Sequence, residues 1–223
     1  MRIGVFGNPD SWYVHELCRV GTQRDHIVQP LLFDQLVAKV SIGRVEFTCG
    51  EIDLSSLDVI LVWTMPPGSL EQVVARMDML SGLEACGVQV INSPKSLECA
   101  VDKYLTTQRL ALAGIPIPDT IVCENAEAAM GAFESLGRDI VIKPLFGAEG
   151  RGIVRISDPE LALRAFRTIE RLEAEMYLQK FVAGPGFDIR ILLLDGQFLG
   201  SMKRIPKPGS RGAELCMLPP ITN

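Results

Sequence analysis

Asp139-Ile-Val-Ile-Lys-Pro-Leu-Phe-Gly-Ala-Glu-Gly-Arg-Gly-Ile-Val-Arg-Ile156 reads as a strand carrying one lysine, a glycine-rich loop and a second strand. Side chains alternate along a strand, so Ile140 and Ile142 point one way and Val141 and Lys143 the other. A lysine inside an apolar strand needs an anionic or hydrogen-bonding partner, because burying an unpaired charge is costly. The loop from Gly147 through Gly150 to Gly152 can bring backbone N–H groups close to an anion, since glycine tolerates unusual backbone angles. A cation beside a glycine cradle suits a triphosphate. Over this segment alone, a hairpin turn with a lysine that snorkels to water would read the same.

The surroundings narrow the reading. A Walker A loop ends in Gly-Lys-Ser/Thr and opens a helix. Here the lysine precedes the loop and Gly152-Ile-Val-Arg-Ile156 reads as a strand. The dinucleotide fingerprint also fails, because its glycines must open a helix. The order is strand, loop, strand, which fits a flap that covers phosphates.

Working outward, the chain has 223 residues and a net charge of −5, enough for one or two domains and against a general nucleic-acid or membrane-surface role. No apolar run approaches the roughly 18 residues of a membrane span. The start, Met-Arg-Ile-Gly-Val-Phe-Gly-Asn-Pro-Asp10, is too short in apolar residues for a signal peptide, so a cytoplasmic location is expected. Cys18, Cys49, Cys86, Cys99, Cys123 and Cys216 form no C-x-x-C pair, and the only histidines are His15 and His26, which argues against zinc. The cysteines read as small hydrophobes in a reducing compartment.

Before the lysine strand, Arg2–Phe6, His26–Phe33, Leu57–Met65 and Val88–Ile91 read as strands, and Trp12–Val20 and Leu70–Cys86 as helices. Asp34–Val40 is predicted as a short helix and Val45–Ile52 as a small hairpin around Cys49-Gly50. Strands alternating with helices imply a mostly parallel sheet with helical crossovers over residues 1–95. Leu97–Ala113 reads as one or two helices, Ile115-Pro-Ile-Pro-Asp119 as a stiff link, Thr120–Cys123 as a strand and Ala126–Leu136 as a helix. Asp158-Pro-Glu160 opens a helix that runs to Leu172. Tyr177–Val182 is a strand, and Ile189–Leu194 and Gln197–Lys203 form a hairpin about Asp195-Gly196. From Pro206 to Asn223 there is no clear periodicity.

Four pieces then stand in order: Asp102-Lys103 opening a helix that ends at Gly114, the Lys143 strand with its glycine loop, Gln179-Lys-Phe-Val182, and Asp188-Ile-Arg190. Their order and spacing resemble the ATP-grasp superfamily and, within it, the RimK-like α-L-glutamate ligases. The resemblance covers residues 1–205 and is strongest from Asn92 onward. It implies an α/β fold: a Rossmann-like pre-ATP-grasp domain over 1–95, followed by an incomplete α+β ATP-grasp domain. Its small, flap-bearing subdomain is expected over 96–175, the start of its large subdomain over 176–205, and an irregular tail over 206–223.

The resemblance also implies roles. Lys103 and Lys143 would neutralise ATP phosphates. Gly147, Gly150 and Gly152 would let the flap close over them. Gln179, Lys180, Phe181 and Val182 would run past the adenine with backbone groups, and Asp188 would accept from the ribose hydroxyls. Arg190 and Arg204 would hold the transferred phosphate or the acceptor carboxylate. On the residues alone, Lys103 can be a solvated helix lysine, and Asp188 and Arg190 a surface pair on the hairpin. The family's partners are ATP with magnesium, an amino acid (glutamate above all), and a carboxylate acceptor that is either a protein C-terminus or a pterin-type cofactor. A homo-oligomer is compatible. The magnesium carboxylates are not found where the family has them, so the chain is expected to be truncated. A nucleotide-binding remnant without ligase activity is the second reading. A dinucleotide-dependent oxidoreductase rests only on the Rossmann-like start with Gly4 and Gly7.

Overall fold

In the computed structural model, which describes residues 1–146 and 152–205, the chain divides into two units, Met1–Ala100 and Val101–Asn223. The boundary falls five residues beyond the expected 95, because helix Pro94–Val101 continues the first unit.

The first unit runs β1 (Arg2–Phe6), α1 (Trp12–Gln23), β2 (Ile27–Leu31), β3 (Leu36–Ser41), β4 (Arg44–Cys49), β5 (Ile52–Asp53), β6 (Val59–Val62), α2 (Leu70–Ala85), β7 (Gln89–Ile91) and α3 (Pro94–Val101). Strands β2-β1-β6-β7 form an all-parallel sheet in that order. Short continuous apolar runs such as Val59–Val62 suit strands covered on both faces. One face carries Phe6, Ile60, Val62 and Val90 into a cluster with Met77, Leu80 and Leu83 of α2, while Val5, Val14 and Val59 are buried apart from it. Ser69 starts α2 with a capping box, its hydroxyl accepting from the Gln72 N–H and the Gln72 side chain returning to its own N–H. At Gly21 of α1 a Cβ would stand 2.1 Å from Val28 Cγ2, so glycine permits the close approach of α1 to β2.

The expected helix Asp34–Val40 is not formed. Phe33–Gln35 makes a single 3-10 turn, and Leu36–Ser41 is β3, paired with β4 from Leu36–Cys49 to Ser41–Arg44. β-Branched Val37 and Val40, with Gly43 turning the chain at φ 72°, find cross-strand partners that outweigh the local helical spacing. The hairpin expected around Cys49-Gly50 exists between β4 and β5, and β3 extends it to three strands.

The second unit runs α4 (Lys103–Leu112), β8 (Thr120–Cys123), α5 (Ala126–Ser135), β9 (Ile140–Lys143), β10 (Val154–Ile156), α6 (Pro159–Arg171), β11 (Met176–Lys180), β12 (Asp188–Leu194) and β13 (Gln197–Arg204). An antiparallel sheet takes the order β10-β9-β11-β8. The expected subdomain break between 175 and 176 falls ahead of β11, an interior strand of this sheet, so the sheet runs through Lys180. One face packs Ile140, Ile142, Ile156, Met176 and Leu178 against Phe133 of α5 and Phe166 of α6. Asp158 caps α6 through a 2.7 Å bond from the Leu161 N–H, with Pro159 in the first turn, as its sequence demands.

β12 and β13 form a two-stranded sheet of their own. Asp195 (φ 49°) and Gly196 (φ 72°) both lie in the left-handed region, the requirement of a two-residue type I′ turn. Nine large apolar residues between Ile189 and Ile205 are each more than half exposed. No helix of the described residues is long and apolar enough to cross a membrane. Burial pushes the thiols of Cys18, Cys49 and Cys123 up, away from the reactive thiolate. Gly147, Gly150, Cys216 and the 206–223 tail lie outside the described residues.

Candidate functional site

The face of the second sheet turned away from α5 and α6 carries the polar residues. Cross-strand register sets Lys143 of β9 opposite Tyr177 of β11, and Gln179 opposite Thr120 of β8. Gln179 is only 6% exposed, so each of its amide groups needs a partner. Its Oε1 accepts from Lys143 Nζ at 2.7 Å. Its Nε2 donates to Thr120 Oγ1 at 2.9 Å and to Tyr177 Oη at 3.2 Å. Tyr177 Oη shares a 2.7 Å bond with Thr107 Oγ1 of α4, and Thr120 Oγ1 donates onward to the Pro118 carbonyl at 2.9 Å. Lys143 is therefore held by a neutral amide, which fixes its position.

Lys103 reaches the same place from another element. Asp102 caps α4 by accepting from the Leu105 N–H at 3.0 Å. It also makes an isolated antiparallel bridge with Phe146, just past β9. The Leu145 carbonyl accepts from the Lys103 N–H at 3.3 Å and from Lys103 Nζ at 3.4 Å. Lys103 is thus bonded to the chain two residues beyond Lys143, just past the end of β9. Gly152, at the far end of that loop, has φ 74°, and a Cβ there would stand 2.8 Å from Pro144 Cγ. Both constraints select glycine.

At Lys180 β11 ends, within the stretch expected from the sequence to run past the adenine. The Lys180 N–H donates to the Asp119 carbonyl and the Phe181 N–H to the Asp139 carbonyl, each at 2.9 Å. The guanidinium of Arg155, on β10, lies 3.5 Å over the Phe181 ring and grips Asp139 through bonds of 2.8 and 2.7 Å. That grip raises the pKa of Arg155 still further, chiefly through the Asp139 hydrogen bond.

The hairpin residues form a different group. Asp188 and Arg204 face each other across β12 and β13, and the Arg204 guanidinium holds the Asp188 carboxylate through Nε at 3.0 and 3.1 Å and Nη2 at 2.5 Å. Arg190 pairs with Met202 in the ladder. The surface pair expected between Asp188 and Arg190 is replaced by one between Asp188 and Arg204, which face each other in the ladder. Among the described residues no group of three or more His, Cys, Asp or Glu side chains could hold a metal ion.

Sequence reading missed the side-chain role of Gln179 and the parts of Thr107, Thr120, Tyr177 and Arg155. One signal was present: Tyr177 and Gln179 are polar residues two apart, alternating with apolar Met176 and Leu178, which puts them on one face. Thr107 on its helix gave none.

Set beside known proteins, residues 102–217 match the family model described as prokaryotic glutathione synthetase, ATP-grasp domain. The chain is 35% identical to tetrahydromethanopterin:alpha-L-glutamate ligase of Methanosarcina acetivorans, over 94% of this chain and 69% of that protein. It is 34% identical to glutamate–LysW ligase ArgX of Sulfurisphaera tokodaii over 60% of this chain and 49% of that one. The RimK domain ATP-grasp protein of Sphaerobacter thermophilus has a similar fold, with a TM-score of 0.71 at 20% identity over 90% of this chain and 72% of that one.

Proposed function

Because the chain belongs to the ATP-grasp family, in its branch of α-L-glutamate ligases, we propose that it uses ATP to join glutamate to a carboxyl group on a small acceptor of the pterin class. The observation that carries the ATP site is that Lys103 of α4 is bonded to the Leu145 carbonyl, two residues beyond Lys143 on β9. The support for the acceptor class is that two ligases named for tetrahydromethanopterin match 94% and 92% of the chain, whereas the LysW ligase matches 60%.

In this reading an acceptor carboxylate oxygen attacks the γ-phosphorus, the bond to the β,γ-bridging oxygen breaks and ADP leaves. The glutamate amine then attacks the acyl carbon, inorganic phosphate departs and the nitrogen loses a proton. Lys103 and Lys143 offset charge on the phosphates as point cations. The described hydrogen bonds occupy the N–H groups of Lys180 and Phe181, so an adenine edge would be read by the carbonyls of this stretch and the Val182 N–H. Asp188 serves the ribose only by giving up part of its contact with Arg204. Magnesium is the family's usual companion of ATP, but the described residues offer it no cluster of ligands.

The test is coupled ADP release with tetrahydromethanopterin and glutamate, and mass spectrometry of the pterin product. Growth of the product by one glutamyl residue, dependent on ATP, is expected. A folded, ATP-binding chain that forms no amide with the pterin or any other carboxylate would favour a nucleotide-binding role without ligation.

A further inference from the structure

In the first unit the strand order doubles back between β1 and β6: the connection through α1 leads outward to β2, and the connection through α2 leads outward to β7 on the other side. In an open parallel sheet the loops at such a reversal part, leaving a crevice at the carboxyl ends of the two strands. The loop after β1 leads into Trp12 and Tyr13 at the start of α1, and Trp63 directly follows β6. Trp12, Tyr13 and Trp63 are 69%, 52% and 45% exposed. Single exposed aromatics are ordinary, but three linked through Tyr13 at a sheet reversal are not. Tyr13 and Trp63 have ring centroids 5.3 Å apart and planes inclined by 34°, and Trp12 meets Tyr13 edge-on at 5.3 Å.

The backbone beneath them is fixed. The Phe6 carbonyl accepts from both the Trp63 N–H at 2.9 Å and the Thr64 N–H at 3.2 Å, while Ser11 caps α1 at the Val14 N–H. At Gly7 a Cβ would stand 3.0 Å from Val14 Cγ2 and 3.6 Å from Trp63 Cβ, so the missing side chain lets the two loops close up. The spacing of Tyr13 and Trp63 is too small to admit a third ring between them. A ligand ring would lie across their outer faces, in the offset arrangement that aromatic quadrupoles favour.

We propose that Tyr13 and Trp63, with Trp12 as an edge, form a stacking platform for the bicyclic ring of the acceptor, and that this platform sets the preference for a pterin. The proposal rests on the pterin reading above and locates the recognition of its ring in the first unit. Its test separates the two. The full chain is titrated with 6-hydroxymethylpterin, a ring with no carboxyl tail, and tryptophan fluorescence is read alongside calorimetric binding of ATP. Quenching is expected in the parent. Trp63→Leu and Tyr13→Leu should each weaken pterin binding about ten-fold, the usual effect of losing one stacked ring, with ATP affinity unchanged. Trp63→Phe should restore most of the affinity and certify the fold. Pterin binding that survives Trp63→Leu and Tyr13→Leu overturns the platform. So does adenosine displacing the pterin as readily as unlabelled pterin does while ATP is held at saturation, which would mean generic stacking. A chain that glutamylates the pterin with these variants as active as the parent keeps the proposed function and loses this inference. A chain that quenches with the ring yet never glutamylates tetrahydromethanopterin does the reverse.

Discussion

Gln179→Glu isolates what Lys143 contributes. The substitution conserves shape and places a carboxylate where the amide oxygen now accepts from Lys143 Nζ at 2.7 Å. At an effective dielectric of about 20 the added charge would hold the ammonium with ~6 kcal/mol of Coulomb energy, an upper limit before desolvation. Even the fraction typical of a charged hydrogen bond, roughly 1.5–3 kcal/mol, would be withdrawn from a phosphate competing for the same ammonium. ATP affinity should therefore fall about 10- to 100-fold. The fold should bear the change. Tyr177 can donate to the new carboxylate while Thr107 donates to Tyr177, because either hydroxyl of that pair can be the donor. Thr120 already spends its proton on Pro118, so about one hydrogen bond, ~1 kcal/mol, is lost there and is offset by the firmer lysine contact. Calorimetric titration with ATP, beside thermal unfolding, reads both quantities. The reasoning fails if Gln179→Glu binds ATP within two-fold of the parent while Lys143→Ala does not.

Three further outcomes are expected. Burial, and then a hydrogen bond that the protonated Glu175 donates to Glu124, hold the Glu175 carboxyl above the ordinary carboxylate range; a raised pKa means the folded chain keeps the proton longer, so stability falls as pH rises through that pKa, and Glu175→Gln should raise the melting temperature at neutral pH but not in acid. Asp188→Asn should cost less than about 1 kcal/mol in denaturant unfolding because its pair with Arg204 is half exposed, and a larger loss would mean that the hairpin is braced by more than itself. The apolar hairpin should drive self-association, which Ile191→Lys with Leu193→Lys should reduce in light scattering; a monodisperse parent would contradict it.

Much of this site was legible because its carriers follow local rules. A lysine in an apolar strand, Asp102 and Asp158 before helices, and Asp195-Gly196 between strands each announce a geometry that needs only nearby chain. What was hidden depends on distant partners. Leu36–Ser41 became a strand because Arg44–Cys49 lies beside it, and the stretch alone reads equally as a turn of helix. Thr107 gained its role from Tyr177, seventy residues away in the chain. Asp188 is clasped by Arg204 because the bulge between Leu192 and Leu193 still leaves those two in register at the far end of the ladder.

That clasp bears on the order in which the chain acquires structure. Asp188 and Arg204 lock the open end of a ladder whose other end is closed by a two-residue turn. Every contact inside it is local, and hairpins of this kind form in about 1–10 μs. The neighbouring sheet must bring Gln179 to Thr120 across fifty-nine residues, and long-range pairing of that sort is intrinsically slower. For an interval during each refolding event the most apolar ribbon of the second unit is therefore already formed and laterally open. Recovery of native protein should depend on a race between intramolecular folding and encounter with another chain, so yield should fall with concentration and improve with rapid dilution or a holdase, even where the final state is stable.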